Sequence, residues 1–189
     1  PGLKLHRLFI TEEEKMKTDI LIVGTGCSGL YCALNLPKDK KITIITKKKA
    51  EDSSSYLAQG GICVKRGEDD FESFFEDTLK AGHYENDKKS VEIMINGSED
   101  VIEDLIDIGV EFNCDEDGDL EYTKEGAHSK ARILYHKDIT GKEITSKLYQ
   151  EVLRQDHIEI IENTTLLDII RDGNECRGVV VSREDGSLD

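Results

Sequence analysis

Glycines hold the first, third and sixth places of Gly24-Thr25-Gly26-Cys27-Ser28-Gly29, a string that closes the apolar run at residues 19–23. At such a corner the first glycine makes a tight turn and the second lets a pyrophosphate approach the backbone. The third lets a helix pack closely on the strand, and the helix N-terminus supplies partial positive charge and unpaired N–H groups. The chemistry these residues suit is dinucleotide binding. A merely structural glycine turn would read the same in isolation, but a strand before it and a helix after it favour the ligand. An acid about 20 positions further on usually grips the ribose of such a ligand. Here the second strand ends in Thr46-Lys47, and the nearest acids, Glu51 and Asp52, lie in the loop beyond it. That departs from a plain NAD pattern, and Lys47 can either face the cofactor's phosphates or stand as a solvated loop lysine.

The next chemistry-bearing stretch is Ser53-Ser54-Ser55-Tyr56-Leu57-Ala58-Gln59-Gly60-Gly61-Ile62. Small side chains and paired glycines allow a backbone to lie against a flat, bulky group and to present N–H donors to it. Read alone, the stretch could equally be a flexible linker; its place directly after the second strand favours the functional reading. His128 and His136 invite acid/base proposals, as imidazole side chains do in general, yet a loop-ordering hydrogen bond is the expectation for both. The five cysteines (Cys27, Cys32, Cys63, Cys114 and Cys176) are irregularly spaced without a C-x-x-C pair. That favours reduced thiols over a disulfide scaffold or a zinc site, and most of them are expected to be small buried hydrophobes. No metal site is expected, and the acidic run at residues 115–119 is not a calcium loop, because its glycine falls at the fourth place.

The elements that must position these groups are legible from periodicity. The continuous apolar run at 19–23 suits a strand buried on both faces. Residues 26–36 read as a helix stopped by Pro37, and the β-branched 41–46 as a second strand joined by a right-handed crossover. Residues 47–61 form a long loop, of the kind that is functional or disordered in compact domains. Helical spacing returns at 68–81, with Phe71, Phe74, Phe75 and Leu79 on one face. A further helix runs from Ser98, as N-cap, to a Gly109 stop. Short strands at 111–113 and 120–122 flank the turn at 115–119. Thr140 and Glu143 form a capping box opening a helix that stacks Ile144, Leu148 and Val152. Strands follow at 157–161, 165–170 and 178–181, with Asp172-Gly173-Asn174 turning between the last two. Residues 1–17 fit no element and are expected to be a disordered or foreign leader, with the folded domain spanning 18–189. The polar turn at 184–189 reads as a cut rather than a terminus.

Composition narrows the partners. In 189 residues, 25 Lys and Arg face 40 Asp and Glu, a formal charge of −15. That excludes broad phosphate-backbone binding to nucleic acid and docking on anionic lipid. No apolar run approaches the ~20 residues of a membrane helix, and the expectation is a cytoplasmic protein.

The glycine corner, the loop ending Ala58-Gln59-Gly60-Gly61-Ile62 and the run Thr123-Lys124-Glu125-Gly126-Ala127-His128-Ser129 with Arg132-Ile133 together resemble the L-aspartate oxidases. These belong to the flavoprotein family that also holds succinate dehydrogenase and fumarate reductase. Asp138-x-Thr140-Gly141-x-Glu143 fits the same pattern, and the resemblance spans about residues 18–181. It implies an α/β, Rossmann-like FAD-binding domain with a mostly parallel sheet, incomplete because the family's capping domain lies further along. It also implies noncovalent FAD, and oxidation of L-aspartate to iminosuccinate with oxygen or fumarate as acceptor, the first step of NAD biosynthesis. The next enzyme of quinolinate synthesis is a candidate partner. Carried over by position, Gly24, Thr25, Gly26, Cys27, Ser28 and Gly29 sit at the FAD pyrophosphate and Lys47 near the adenosine. Ser54, Ser55, Tyr56, Leu57, Ala58, Gln59, Gly60 and Gly61 line the flavin, and the backbone of Thr165 and Leu166 closes over the adenine.

Two positions discriminate within the family. Its covalent members attach flavin through a His five residues before the Gln of the A-x-G-G run; Ser54 holds that place here. Glu125 matches the Glu that orients substrate in the aspartate oxidases, where a carboxylate can pair with the α-ammonium that succinate lacks. The resemblance places the catalytic Arg beyond Asp189, so this chain alone is expected to show little activity. A fumarate reductase-type flavoprotein and a nonenzymatic nucleotide-binding module are the alternatives.

Overall fold

The computed structural model describes residues 16–189, in two compact units. The leader expected over residues 1–17 lies, apart from Met16 and Lys17, outside the described residues. One unit holds the described residues up to Asp52 together with Val152–Asp189; the other is Ser53–Glu151.

The first unit is built on a parallel sheet of order β1-β2-β6, from β1 (Ile20–Val23), β2 (Ile42–Ile45) and β6 (Ile158–Ile161). Helix α1 (Cys27–Leu34) connects β1 to β2 and buries Leu30 and Ala33. The central β2 is buried along its whole length. The expectation that β1 is buried on both faces is corrected. It is the edge of this sheet, with one hydrogen-bonded neighbour among the described residues, and Val23 is 55% exposed. Strands β7 (Thr165–Asp172) and β8 (Glu175–Ser182) form an antiparallel hairpin turned at Gly173, whose φ is +60°. The segment after it folds back on β8 through reciprocal backbone hydrogen bonds between Val181 and Asp189.

The second unit contains β3 (Ile62–Cys63), β4 (Tyr122–Thr123) and β5 (Ile133–Leu134), antiparallel in the order β3-β5-β4. The parallel sheet thus comes with antiparallel pairs that the sequence pattern did not fully resolve. A 3-10 turn at Glu68–Asp70 leads into α2 (Phe71–Ala81), then α3 (Lys88–Asn96), α4 (Ser98–Asp107) and α5 (Thr140–Leu153). Phe74, Leu79, Val91 and Ile95 form the buried cluster between α2 and α3, with Phe71, Phe75 and Cys63 packed against it. Helix α3 has no counterpart in the sequence reading. Asp87 caps it, accepting from the Ser90 amide at 2.7 Å.

Other local expectations are corrected. Ser98 is not the N-cap of α4: Gly97 is, and the Ser98 hydroxyl donates to the Ile95 carbonyl at 2.7 Å while accepting from the Lys65 amide. The capping box at α5 is not made. The Thr140 hydroxyl accepts from the His136 amide, and Glu143 accepts from the Glu111 amide, so both side chains fasten preceding loops instead. Ile144, Leu148 and Val152 are nevertheless buried as expected. The strands at 111–113 and 120–122 reduce to one Cys114–Leu120 bridge and the short β4, while the turn between them holds, with Asp115 accepting from the Asp117 and Asp119 amides. The cysteines are not buried hydrophobes. Cys32, Cys114 and Cys176 are exposed and Cys27 and Cys63 half-buried, none in a disulfide; Cys27 opens the first turn of α1, and Cys63 reaches the edge of the α2–α3 cluster without being enclosed by it.

Candidate functional site

In the first unit the glycine corner has the geometry its spacing implies. Gly24 turns at φ +110° with open space where a side chain would be. A Cβ on Gly29 would lie 2.3 Å from the Gly24 carbonyl oxygen, so only glycine lets α1 approach the strand end this closely. Gly26 is the N-cap of α1 in extended conformation, and no side chain caps the helix. The partial positive charge of this helix end favours an anion. Cys27 and Ser28 supply the first helical amides at this end.

Thr25 is buried (2% exposed), and its hydroxyl lies 3.1 Å from the Ala50 carbonyl and 3.3 Å from the Thr46 hydroxyl. Its side chain thus closes the loop after β2 against the corner. The Ala50 amide in turn donates to Glu162 at 2.8 Å. The Asn163 amide donates to the Lys48 carbonyl and the Thr164 amide to that of Thr46. These bonds bring the exposed Lys47 alongside the entrance to β7, where Thr165 and Leu166 begin the hairpin ladder. The corner, Lys47 and Thr165 therefore gather beyond the carboxyl ends of β1, β2 and β6, where ligands bind in open parallel sheets. Glu162 had not been singled out from the sequence, since an acid one residue past a strand is a common surface position.

In the second unit the serine–glycine stretch is a built loop, not a linker. The Ser53 hydroxyl accepts from the Tyr56 amide at 3.2 Å, and the Ser55 carbonyl from the Ala58 amide at 3.3 Å. The Gly141 amide, at the start of α5, donates to the Ala58 carbonyl at 2.9 Å. A Cβ on Gly141 would lie 2.1 Å from the Ser55 oxygen, so the loop seats on this glycine. Lys142 stands 5.7 Å over the Tyr56 ring. Gly61 turns at φ +97°, and a Cβ there would meet the Leu134 carbonyl at 2.5 Å; its glycine serves strand packing against β5. Ser54, Leu57, Ala58, Gln59 and Gly60 are exposed, Leu57 at 75%. A surface of mostly small side chains, with Leu57 and Gln59 standing out from it, is thus presented on a pinned backbone.

Glu125 stands beside that surface, its carboxylate oxygens 3.8 and 3.9 Å from the position of a Cβ on Gly60. It lies in the loop between β4 and β5, which a buried ionic cluster holds down. Arg132, with a fully buried side chain, donates to Asp70 through Nε at 3.2 Å and NH2 at 2.9 Å, and to Asp77 through NH1 at 2.6 Å. Its guanidinium carbon also lies 4.8 Å from the Phe74 ring centroid. Burial opposes ionisation of Asp70, but hydrogen bonds from Arg132, Ser73 and the Arg66 amide outweigh it and hold the carboxyl well below the ordinary carboxylate range. Burial likewise pushes Asp77 up, and the Ser129 donors and Arg132 overcome it, so Asp77 also titrates low. Burial raises the Cys63 thiol against the pull of Arg132. Asp70 and Asp77 were not legible as functional residues, although Asp70, Ser73 and Asp77 recur at helical spacing beside the apolar face of α2 and could have signalled a buried polar stripe.

Both histidines order loops. His136 Nδ1 is 2.5 Å from the Glu111 carbonyl oxygen. His128 packs edge-on to Phe74 at 6.5 Å, with Nε2 3.6 Å from Cys63 Sγ.

The strand–glycine corner–helix geometry defines a dinucleotide-binding α/β domain, and the chain belongs to the FAD binding domain family, whose pattern matches residues 19–188. FAD is the cofactor of this domain, and the open Gly24 turn, the uncapped α1 and the close Gly24–Gly29 approach fit its pyrophosphate. Among curated relatives, the chain is 49% identical over 174 residues to L-aspartate oxidase of Clostridium perfringens, covering 92% of this chain and 39% of that protein. It is 48% identical over 163 residues to L-aspartate oxidase of Clostridium acetobutylicum, covering 86% and 38%. The chain thus spans well under half the length of these relatives. Among solved structures, a quinol-fumarate reductase with menaquinol molecules superposes with TM-score 0.86 at 26% identity, over 92% of this chain and 32% of that one. Among the described residues no helix is long and apolar enough to cross a membrane.

Proposed function

We propose that this chain is the FAD-binding part of an L-aspartate oxidase, acting on L-aspartate in the cytoplasm at the head of NAD synthesis. The glycine corner, Lys47 and the Thr165–Leu166 backbone take the pyrophosphate and adenosine, and residues 54–61 bed the ring. Bound FAD supplies the two-electron acceptor for oxidation of the substrate's C–N bond. The observation that carries the reading is Glu125, a carboxylate standing at Gly60 on the surface meant for the ring. A substrate laid on that surface with an α-ammonium finds a counter-ion there, and a dicarboxylate without one does not.

The test is Glu125→Gln in the full reading frame that contains this sequence, loaded with FAD. Losing a charge-assisted hydrogen bond raises KM for L-aspartate about tenfold or more; an unchanged KM refutes the assignment. The fumarate reductase-type alternative draws on the TM-score of 0.86. Ser54 weighs against its covalent branch, and flavin released completely into the supernatant on acid precipitation is the expected result.

A further inference from the structure

We propose that Asp77 is the positioning residue that sets where Glu125 stands. This rests on the reading of Glu125 as the substrate's ammonium partner. Residues 124–132 have no regular structure. A loop of that kind does not hold a carboxylate in one place unless something anchors it. The anchor is on α2, where a single oxygen of Asp77 accepts from the Ser129 amide and the Ser129 hydroxyl, each at 2.7 Å, and from Arg132 NH1 at 2.6 Å.

The rest of the loop follows from that attachment. Lys124 Nζ lies 3.4 Å from the Ser129 carbonyl, and the His128 amide closes a turn on the Glu125 carbonyl at 3.0 Å. Glu125 is thereby one tight turn from the anchored Ser129. Its carboxylate comes to rest beside Gly60, whose neighbour Gly61 is locked against β5. Asp70 already supplies two bonds to Arg132. What Asp77 adds beyond neutralising a buried cation is the hold on Ser129, which reaches the substrate-facing turn. Helix α2 is itself a firm base, since Phe74 and Leu79 are core residues. A reacting geometry tolerates little displacement, and a shift of about 1 Å can cost up to a hundredfold in rate.

The experiment compares Asp77→Ala, Glu125→Gln and the double variant in the FAD-loaded full reading frame. Asp77→Ala is expected to raise KM for L-aspartate about tenfold, the scale of one lost charge-assisted bond. The dissociation constant for succinate, which has no ammonium, and that for FAD should stay within about twofold of the parent. In the Glu125→Gln background Asp77→Ala should add nothing, because the group it positions is already gone. Hydrogen exchange should quicken across residues 124–132 and stay unchanged in β3. Ser129→Ala, which leaves the Arg132–Asp77 pair intact, covers the case in which Asp77→Ala does not fold, and should raise KM about threefold with the same non-additivity.

Effects that multiply in the double variant, or an equal loss of succinate and aspartate binding, overturn the proposal. So does an unchanged KM in Asp77→Ala, or in Ser129→Ala where that variant stands in. If Glu125→Gln itself leaves KM unchanged, the reading of Glu125 fails instead, whatever Asp77→Ala does.

Discussion

Asp70→Ala tests the cluster on which the second unit's loop geometry depends. The Asp70 side chain is 1% exposed and faces an Arg132 side chain at 0%. It accepts from Arg132 Nε and NH2, from the Ser73 hydroxyl at 2.8 Å and from the Arg66 amide at 3.1 Å, with Lys130 Nζ at 3.4 Å. Truncation strands the Arg66 amide and leaves a buried guanidinium with Asp77 as its remaining carboxylate. Breaking a buried pair from one side costs about 3–5 kcal/mol, a large part of the roughly 5–15 kcal/mol that holds a domain folded. Asp70→Asn keeps one acceptor and the shape, and should cost about 1–3 kcal/mol. The assay is the urea midpoint followed by far-UV circular dichroism. Lys89→Ala is the control, because it breaks an exposed 2.9 Å pair with Glu92 and should shift stability by about 0.5 kcal/mol or less. An Asp70→Ala loss no larger than that of the control refutes the view that this cluster bears stability.

Three further outcomes follow from the same geometry. Asp70 and Asp77 titrate below their ordinary value in the folded protein. Their contribution is therefore complete above the unfolded carboxylate value of about 3.9 and is lost as pH falls below it; melting temperature should drop below about pH 4, and less steeply in the Asp70→Asn, Asp77→Asn pair. Gly29→Ala places a Cβ 2.3 Å from the Gly24 carbonyl, so α1 must lift from the strand end at about 1–3 kcal/mol, with weaker FAD binding by flavin fluorescence; a parent-like melting temperature and affinity would contradict the close approach. Thr43, fully buried in β2, has a hydroxyl with no hydrogen-bond partner; Thr43→Val should stabilise by about 1 kcal/mol, read as a raised melting temperature, and a lowered one would mean the hydroxyl is satisfied.

Much of this protein is decided locally, and that part is legible in the chain. The strand–corner–helix unit rests on an apolar run, three glycines and a proline within one short stretch, so periodicity and turn chemistry suffice. The turn at Gly173 and the buried stripe Ile144, Leu148 and Val152 follow in the same way. What only the tertiary structure decided are the choices among competing partners. Thr140, Glu143 and Ser98 all carry good capping chemistry, yet each accepts from a backbone amide outside its own helix, those of His136, Glu111 and Lys65, because the tertiary fold brings loop amides to these side chains that sequence spacing does not reveal. Arg132 lies 62 residues from Asp70, and no spacing rule spans that separation. Glu125 can be named from a motif, but the carboxylate's place beside Gly60 depends on α2, β5 and the loop between them packing at once. A sequence lists its polar groups; burial determines which of them must find each other.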